Sequence, residues 1–288
     1  MILEAHWDPE VYELLDCGEG RKLERVAGYV IDRPAPAARW PKAVPSRWEL
    51  AEARFIRQTD QKGQWLFRRQ PPENWLVQWQ DIRLLIKCTP FGHIGLFPEQ
   101  DSIWHWIHDR LSGLGSPCRI LHLFAYTGGA TLVAAATGAE VYHVDAARNV
   151  LTWAKKNVEL SGLGAPKIHW ICEDARRFVE REARRGRNYD ALIIDPPTYG
   201  HGPKGELWHI DKHLRPLLEG CSRLVGDRCR FLVLTAHATG YTPQKLLTIA
   251  KSALPQLAPA GYFCGQMAVR SATGRTLRAG IFVLWQPG

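Results

Sequence analysis

The residues best suited to chemistry are Asp195, Pro196 and Pro197, which follow the apolar run Tyr189-Asp190-Ala191-Leu192-Ile193-Ile194. A carboxylate and two prolines at the C-terminal edge of a strand make a stiff loop with carbonyls but no proline N–H groups, so it accepts hydrogen bonds. Such a loop can align a nucleophile that carries a hydrogen, or hold one still while it attacks. Tyr199, two residues on, can stack on a planar substrate. A second constellation lies upstream, where Phe124-Ala125-Tyr126-Thr127-Gly128-Gly129 reads as a strand end entering a glycine turn. Thr127 is a candidate helix N-cap, and Gly128 lets the backbone come close to a ligand.

The elements that position these residues follow from periodicity. From about Asp101 the spacing of Ile103, Trp106, Ile107, Leu111 and Leu114 predicts a helix, and beyond it strands and helices alternate. Strands are expected at 119–124, 140–144, 167–171, 190–194, 230–234, 262–268 and 280–285, with helices near Ala130, Asn149, Ala175, Leu214 and Gln244. This pattern gives an α/β fold with a mostly parallel seven-stranded sheet covered on both faces. The last two strands should pair antiparallel across the basic loop 270–278.

In such a sheet, ligands bind beyond the carboxyl ends of the strands. The turn 124–128 is the first such place. Asp145, followed by Ala146, ends the second strand and can accept hydrogen bonds from ribose hydroxyls. Asp174 and Ala175 follow the third, where a side chain and a backbone N–H can meet an adenine edge. The turn lacks the G-x-G-x-x-G spacing that a pyrophosphate needs at a helix N-terminus. S-adenosylmethionine has no phosphate and suits a looser turn beside an acid.

Before about Gly95 the pattern is short β-like runs at 11–15, 23–31, 75–79 and 83–87, with a turn at 16–20 and a proline-rich stretch at Pro34, Pro36, Pro41 and Pro45. We therefore expect a small β-rich N-terminal domain at 1–92 and the α/β domain at 93–288. Composition is that of a folded globular chain, with 45% hydrophobic and 23% charged residues. The sequence offers no signal peptide and no membrane span. Seven cysteines without a CxxC pair read as thiols of a reducing cytoplasm. The net charge of +8 is concentrated, because the stretch from Arg228 to Gly288 has seven basic residues and no acid. That bias suits a polyanion such as RNA.

At Leu121-His122-Leu123-Phe124-Ala125-Tyr126-Thr127-Gly128-Gly129, Val144-Asp145, Asn157-Val158-Glu159-Leu160 and Asp195-Pro196-Pro197-Thr198 the chain resembles the Rossmann-like S-adenosylmethionine-dependent methyltransferases. Within them it is similar to the group containing bacterial large-subunit ribosomal RNA base methyltransferases. Gly95-Leu96-Phe97-Pro98-Glu99-Gln100 matches a further segment of that group, which implies that Phe97 and Gln100 touch the cofactor. The resemblance covers about Phe91 to Trp285. It implies S-adenosylmethionine bound by Phe97, Gln100, Phe124, Ala125, Tyr126, Thr127, Gly128, Asp145, Ala146, Asp174, Ala175 and Asp195. Catalysis would fall to Asp195, Pro196, Pro197 and Tyr199.

Members that methylate carbon 5 of cytosine need a cysteine after the strand that follows the proline loop. Here that segment reads Leu234-Thr235-Ala236-His237-Ala238-Thr239-Gly240, and Cys229 lies too early. Direct in-line methylation of a ring nitrogen or an exocyclic amine of an RNA base is therefore the expectation. The alternatives are a methyltransferase for a protein or small molecule, and a cofactor-binding protein without catalysis. Many amino-directed members place an aromatic at the Thr198 position, whereas here the aromatic, Tyr199, comes one place later. Trp208 is a second candidate for stacking on the base, and Lys204 for meeting phosphate. His209 and His213 have helical spacing but no third metal ligand, so no metal site is expected. The arginines at 176, 177, 181, 184, 185 and 187 are expected on a solvated helix.

Overall fold

The computed structural model describes residues 1–59, 62–114, 117–226 and 228–288. They form two compact units. The N-terminal unit is Leu3–Ser102 with Met267–Ala279, and the α/β unit is Met1–Ile2, Ile103–Gln266 and Gly280–Gly288. Compared with a division at residue 92, the N-terminal unit has ten further residues and the tip of the last hairpin.

The chain opens with β1 (Ile2–Glu4). The N-terminal unit then builds a five-stranded sheet from β2 (Tyr12–Gly18), β3 (Arg21–Val26), β4 (Tyr29–Pro34), β5 (Ala53–Arg57) and β6 (Gly63–Phe67), in that order. A separate hairpin joins β7 (Leu76–Trp79) to β8 (Ile82–Leu85). Three expectations change here. The run 23–31 is two strands, because Ala27 and Gly28 both take positive φ (43° and 79°) and turn the chain back. The turn expected at 16–20 is confined to Glu19 and Gly20 (φ 54° and 72°), while Asp16 to Gly18 continue β2 past a register shift between Leu14 and Asp16. β5 and β6 have no counterpart in the periodicity, since their outward positions mix arginine and glutamine with Ile56, Leu66 and Phe67.

Two buried carboxylates organise this unit. Asp16 accepts N–H groups from Cys17, Ala43 and Val44 and the indole N–H of Trp48, and so pins the proline-rich stretch onto β2. Burial raises the Glu24 carboxyl, but the charges of Arg33 and Lys22 outweigh it and hold the group down at about 2.

In the α/β unit, α1 (Asp101–Ser112) leads into β9 (Arg119–Leu123), α2 (Gly129–Ala136), β10 (Glu140–Asp145), α3 (Arg148–Ser161), β11 (Ile168–Cys172), α4 (Ala175–Arg184) and β12 (Ala191–Ile194). A small hairpin of β13 (Tyr199–His201) and β14 (Leu207–His209) follows, then α5 (Ile210–Ser222), β15 (Phe231–Ala236), α6 (Pro243–Ala253), β16 (Tyr262–Arg270) and β17 (Thr276–Trp285). The sheet order is β1-β16-β17-β15-β12-β9-β10-β11. β11, β10, β9, β12 and β15 are parallel, and β17 runs antiparallel to β15. The seven expected strands are present, and β1 adds an eighth at the edge. The basic loop shrinks to 271–275, because both flanking strands extend into it. β12 and β15 are buried along their whole length, as strands covered on both faces must be.

Candidate active site

After Leu123 the backbone bends sharply. Phe124 and Tyr126 have positive φ, 57° and 49°, and Gly128 follows at 87°. Bulky side chains in that region cost on the order of 1 kcal/mol each, so neighbouring bonds must hold the turn. Asp145 supplies one of them, accepting the Tyr126 N–H on Oδ2 at 2.9 Å, while its Oδ1 accepts the N–H of Ala147, the N-cap of α3, also at 2.9 Å. The Ala125 N–H reaches the Val144 carbonyl at 3.1 Å, and buried Asn157 of α3 donates Nδ2 to the Thr127 carbonyl at 2.8 Å. Burial pushes the Asp145 carboxyl up, and the N–H groups of Ala147, Tyr126 and Ala146 restrain the rise. Asp145 thus fixes the turn, and with three backbone N–H groups on its four lone-pair positions it keeps one for a ribose hydroxyl.

The N-cap of α2 is Gly128 rather than Thr127. The left-handed backbone selects glycine, and a Cβ there would lie 3.1 Å from Leu132 Cδ1 and 3.3 Å from the Ala154 Cβ. Beneath the turn, the Thr131 hydroxyl sits 2.7 Å from His122 Nδ1 and 2.9 Å from His143 Nδ1. The hydroxyl donates its one hydrogen to one ring nitrogen and accepts from the other, so one imidazole has a lone pair on Nδ1 and the other a hydrogen there. Burial pulls His122 down to about 3 and His143 well below its usual range.

Asp174 is the N-cap of α4, accepting the N–H groups of Arg176 (2.9 Å) and Arg177 (3.3 Å), and its Oδ2 is 2.9 Å from Arg176 Nη2. Burial raises its carboxyl, but the hydrogen bonds and charge of Arg176 and the backbone bonds hold it below the usual range. An adenine amino group would therefore share this carboxylate with a guanidinium. Ala175, buried, opens α4.

The proline loop leaves β12 beside β9 on one side and β15 on the other. Trp208 donates its indole N–H to the Pro197 carbonyl at 2.7 Å, the Ile210 N–H reaches the Thr198 carbonyl, and the Trp208 ring packs 4.7 Å from that of Phe124. The Pro196 carbonyl takes no hydrogen bond from any described residue. Trp208 is 3% exposed and serves as a brace, which removes it as a stacking platform. Tyr199, 45% exposed, keeps that role available. Of the α4 arginines, Arg177 pairs with Glu206 of the hairpin, Arg181 with Glu173 and Arg185 with Glu182. His213 Nδ1 accepts the His209 N–H at 2.9 Å, so the helical histidine pair closes the start of α5.

Two residues that sequence reading passed over complete the cluster. Thr235, buried at the end of β15, donates its hydroxyl to Asp195 Oδ1 at 2.5 Å, and His237 Nε2 lies 3.6 Å from the same oxygen. Register is the signal that could have found them. Ile194 pairs with Leu234, so the next residues, Asp195 and Thr235, stand side by side at the sheet's edge. Cys229 is buried ahead of β15, and burial pushes its thiol up to about 12.

Phe97 and Gln100 belong to the N-terminal unit, where the Gln100 N–H closes a short 3-10 turn on the Phe97 carbonyl and Phe97 packs near His93. The basic stretch after Arg228 is also divided. Arg270 pairs with Glu4, and Arg275 donates to the Cys17 and Pro41 carbonyls within that unit. Among the described residues, no group of three His, Cys, Asp or Glu side chains could hold a metal, and no helix is long and apolar enough to cross a membrane.

A family model for S-adenosylmethionine-dependent methyltransferases matches residues 22–240. A crystal structure of the SAM-dependent methyltransferase from Agrobacterium tumefaciens superposes with a TM-score of 0.92 at 37% identity, covering 100% of this chain and 94% of that one. Ribosomal RNA large subunit methyltransferase K of Neisseria meningitidis serogroup B is 31% identical over 180 residues, which are 61% of this chain and 50% of that protein. Methyltransferase K/L of Allochromatium vinosum is 34% identical over 186 residues, 61% of this chain and 24% of that protein. The chain thus spans half or less of the length of these curated relatives.

Proposed function

The chain belongs to the S-adenosylmethionine-dependent methyltransferases, and we propose that it methylates a nitrogen of an RNA base, in ribosomal RNA of the cytoplasm, by direct in-line transfer. The observation that carries this reading is the Asp195-Pro196-Pro197 loop, braced by Trp208 and bonded to Thr235, together with the lack of a cysteine in the segment 234–240. The names of the curated relatives support ribosomal RNA as the acceptor.

Asp145, Ala146, the turn 124–128, Asp174 and Ala175 would hold S-adenosylmethionine, which when bound supplies a methyl group already activated on a sulfonium. The protein's own work is then alignment. Asp195 and the Pro196 carbonyl, both acceptors, orient a target nitrogen through its hydrogens and favour the positive charge that develops on it. The Trp208 bond to Pro197 keeps the loop from relaxing away from the attacking atom. Tyr199 stacks on a base turned out of its loop or helix.

The test is transfer of labelled methyl to RNA and to total protein from a strain lacking the gene. Asp195→Ala should abolish transfer with cofactor affinity nearly unchanged, whereas Asp145→Ala should weaken cofactor binding because it also releases the turn. Label in protein alone would replace the RNA assignment, and equal loss of cofactor affinity in both variants would overturn the division of roles.

A further inference from the structure

We infer that the outward face of the β13–β14 hairpin seats two neighbouring bases as an unstacked pair, the target on Tyr199 and the next base on His201 and Leu207, so that the substrate is a single-stranded RNA segment kinked at the methylated position. The inference deepens the proposed function and rests on its reading of RNA as the acceptor. Strand alternation divides the hairpin into two faces. On one, Gly200 opposes Trp208, whose indole is buried and bonded to the Pro197 carbonyl. On the other, Tyr199 opposes His209 and His201 opposes Leu207. Leu207 is 55% exposed and Tyr199 45%, and His201 is exposed beside them.

Such exposure is rare in the α/β unit. Among the described residues of Ile103–Gln266 and Gly280–Gly288, the large apolar side chains that stand exposed are Tyr199, Leu207 and Phe263, and two of the three share this face. Apolar surface left in water directly after the proline loop marks a contact surface. Its shape narrows the partner. The rings of Tyr199 and His201 have centroids 5.1 Å apart and planes at 87°, with the phenol oxygen 3.3 Å from His201 Nε2. Bases stacked in a helix lie parallel, whereas two ring faces at a right angle match neighbours that have been parted. Parted bases of single strands are what proteins seat on aromatic side chains when they read RNA. Leu207, across the strand pair from His201, widens the second seat.

Charge favours RNA over a protein partner. Lys204, at the hairpin tip, is exposed, and its ammonium meets no partner among the described residues. Glu206, the one acid between Tyr199 and His209, is turned inward. Its carboxylate is 11% exposed, with Oε1 3.1 Å from Arg177 Nη1 and Oε2 accepting the Lys204 N–H at 2.8 Å. The hairpin therefore shows solvent two rings, an aliphatic chain and a cation, a combination that holds single-stranded nucleic acid by stacking and phosphate attraction. The Trp208 and Arg177 contacts fix the face before substrate arrives, which lowers the ordering cost of binding.

Methyl transfer to total RNA from a strain lacking the gene, titrated in RNA at saturating cofactor, tests this. His201→Ala and Leu207→Ala should each raise the half-saturating RNA concentration about tenfold, with a smaller effect on the saturating rate and cofactor affinity intact. Lys204→Ala should reduce the slope of log affinity against log salt by about 0.7, as expected for one phosphate of a single strand, while the other two variants keep that slope. Single-stranded oligoadenylate should inhibit transfer at lower concentration than the same strand paired with oligouridylate, although the duplex carries more charge. Unchanged RNA dependence in the His201 and Leu207 variants, or stronger inhibition by the duplex, would overturn the inference and leave the RNA reading standing. A dimer that Leu207→Ala turns into a monomer by light scattering would assign the face to a second copy and overturn it as well. Label confined to protein, or absent with wild-type enzyme, would overturn the RNA reading and this inference together.

Discussion

At the scale of single residues, the site depends on side chains that fix other side chains. Thr235 is the clearest case, because its hydroxyl sets which way the Asp195 carboxylate points without reaching solvent. Thr235→Val conserves volume and removes that donor. A net hydrogen bond to a charged group is worth about 1.5–3 kcal/mol, and a fraction of that lost in alignment slows the reaction roughly tenfold. We expect kcat to fall by about that factor with cofactor affinity intact, measured by single-turnover methylation and equilibrium binding. Asp145 shows how far one residue's sequence context carries. Its place at the end of a strand marks it as a ribose ligand, but of its bonds one reaches Tyr126 in the turn, 19 positions away, and one the local N–H of Ala147, and only the first needed the fold to be seen. Thr235 and His237 were hidden for the same reason, since their partner is some 40 positions earlier and meets them only through parallel register.

At the scale of elements, the parallel strands and their helices were legible because burial on both faces leaves long apolar runs, while β13 and β14 were not. Strands of three residues carry no readable period, and their pairing is set by the bond of Trp208 to Pro197. Trp208→Phe keeps the packing on Phe124 and deletes that bond. Its stability cost should stay near 1 kcal/mol by chemical denaturation, with a larger proportional loss in kcat, because the loop and not the core is what loosens. The paired imidazoles of β9 and β10 make a second element-scale prediction. The folded pKa of His122 is about 3 against an ordinary 6.5, so the unfolded chain takes up protons first. Stability is therefore full above about pH 7 and declines as pH falls below 6.5, by about 1 kcal/mol per imidazole between about pH 7 and 5.5. Denaturant midpoints across that range should show the decline well before the carboxylates titrate, and a flat profile would mean that the His122–Thr131–His143 contact admits water.

For the whole molecule, the two units are not successive lengths of chain. Residues 267–279 leave the α/β unit in the middle of the hairpin of β16 and β17, serve the N-terminal unit, and return. Within that unit they are structural: the Ala272 N–H donates to the Leu14 carbonyl at 2.8 Å, Thr273 lies 3.4 Å from Asp16 Oδ1, and Arg275 reaches the Cys17 and Pro41 carbonyls. A boundary drawn from composition at residue 92 assigns these residues elsewhere, because a basic turn on an exposed hairpin gives no sign of what it joins. Truncation after Ser102 should accordingly leave the N-terminal unit less stable than in the full chain, with earlier loss of tryptophan fluorescence on heating.

The same interleaving sets an order of events on the ribosome. Residues 3–102 are translated well before the hairpin tip 267–279 that belongs to the same unit, with nearly the entire catalytic domain made in between. Domains made at the front of a chain ordinarily complete themselves first. Here the front waits for the back, and for most of its synthesis the nascent protein carries an unfinished β module that chaperones can hold.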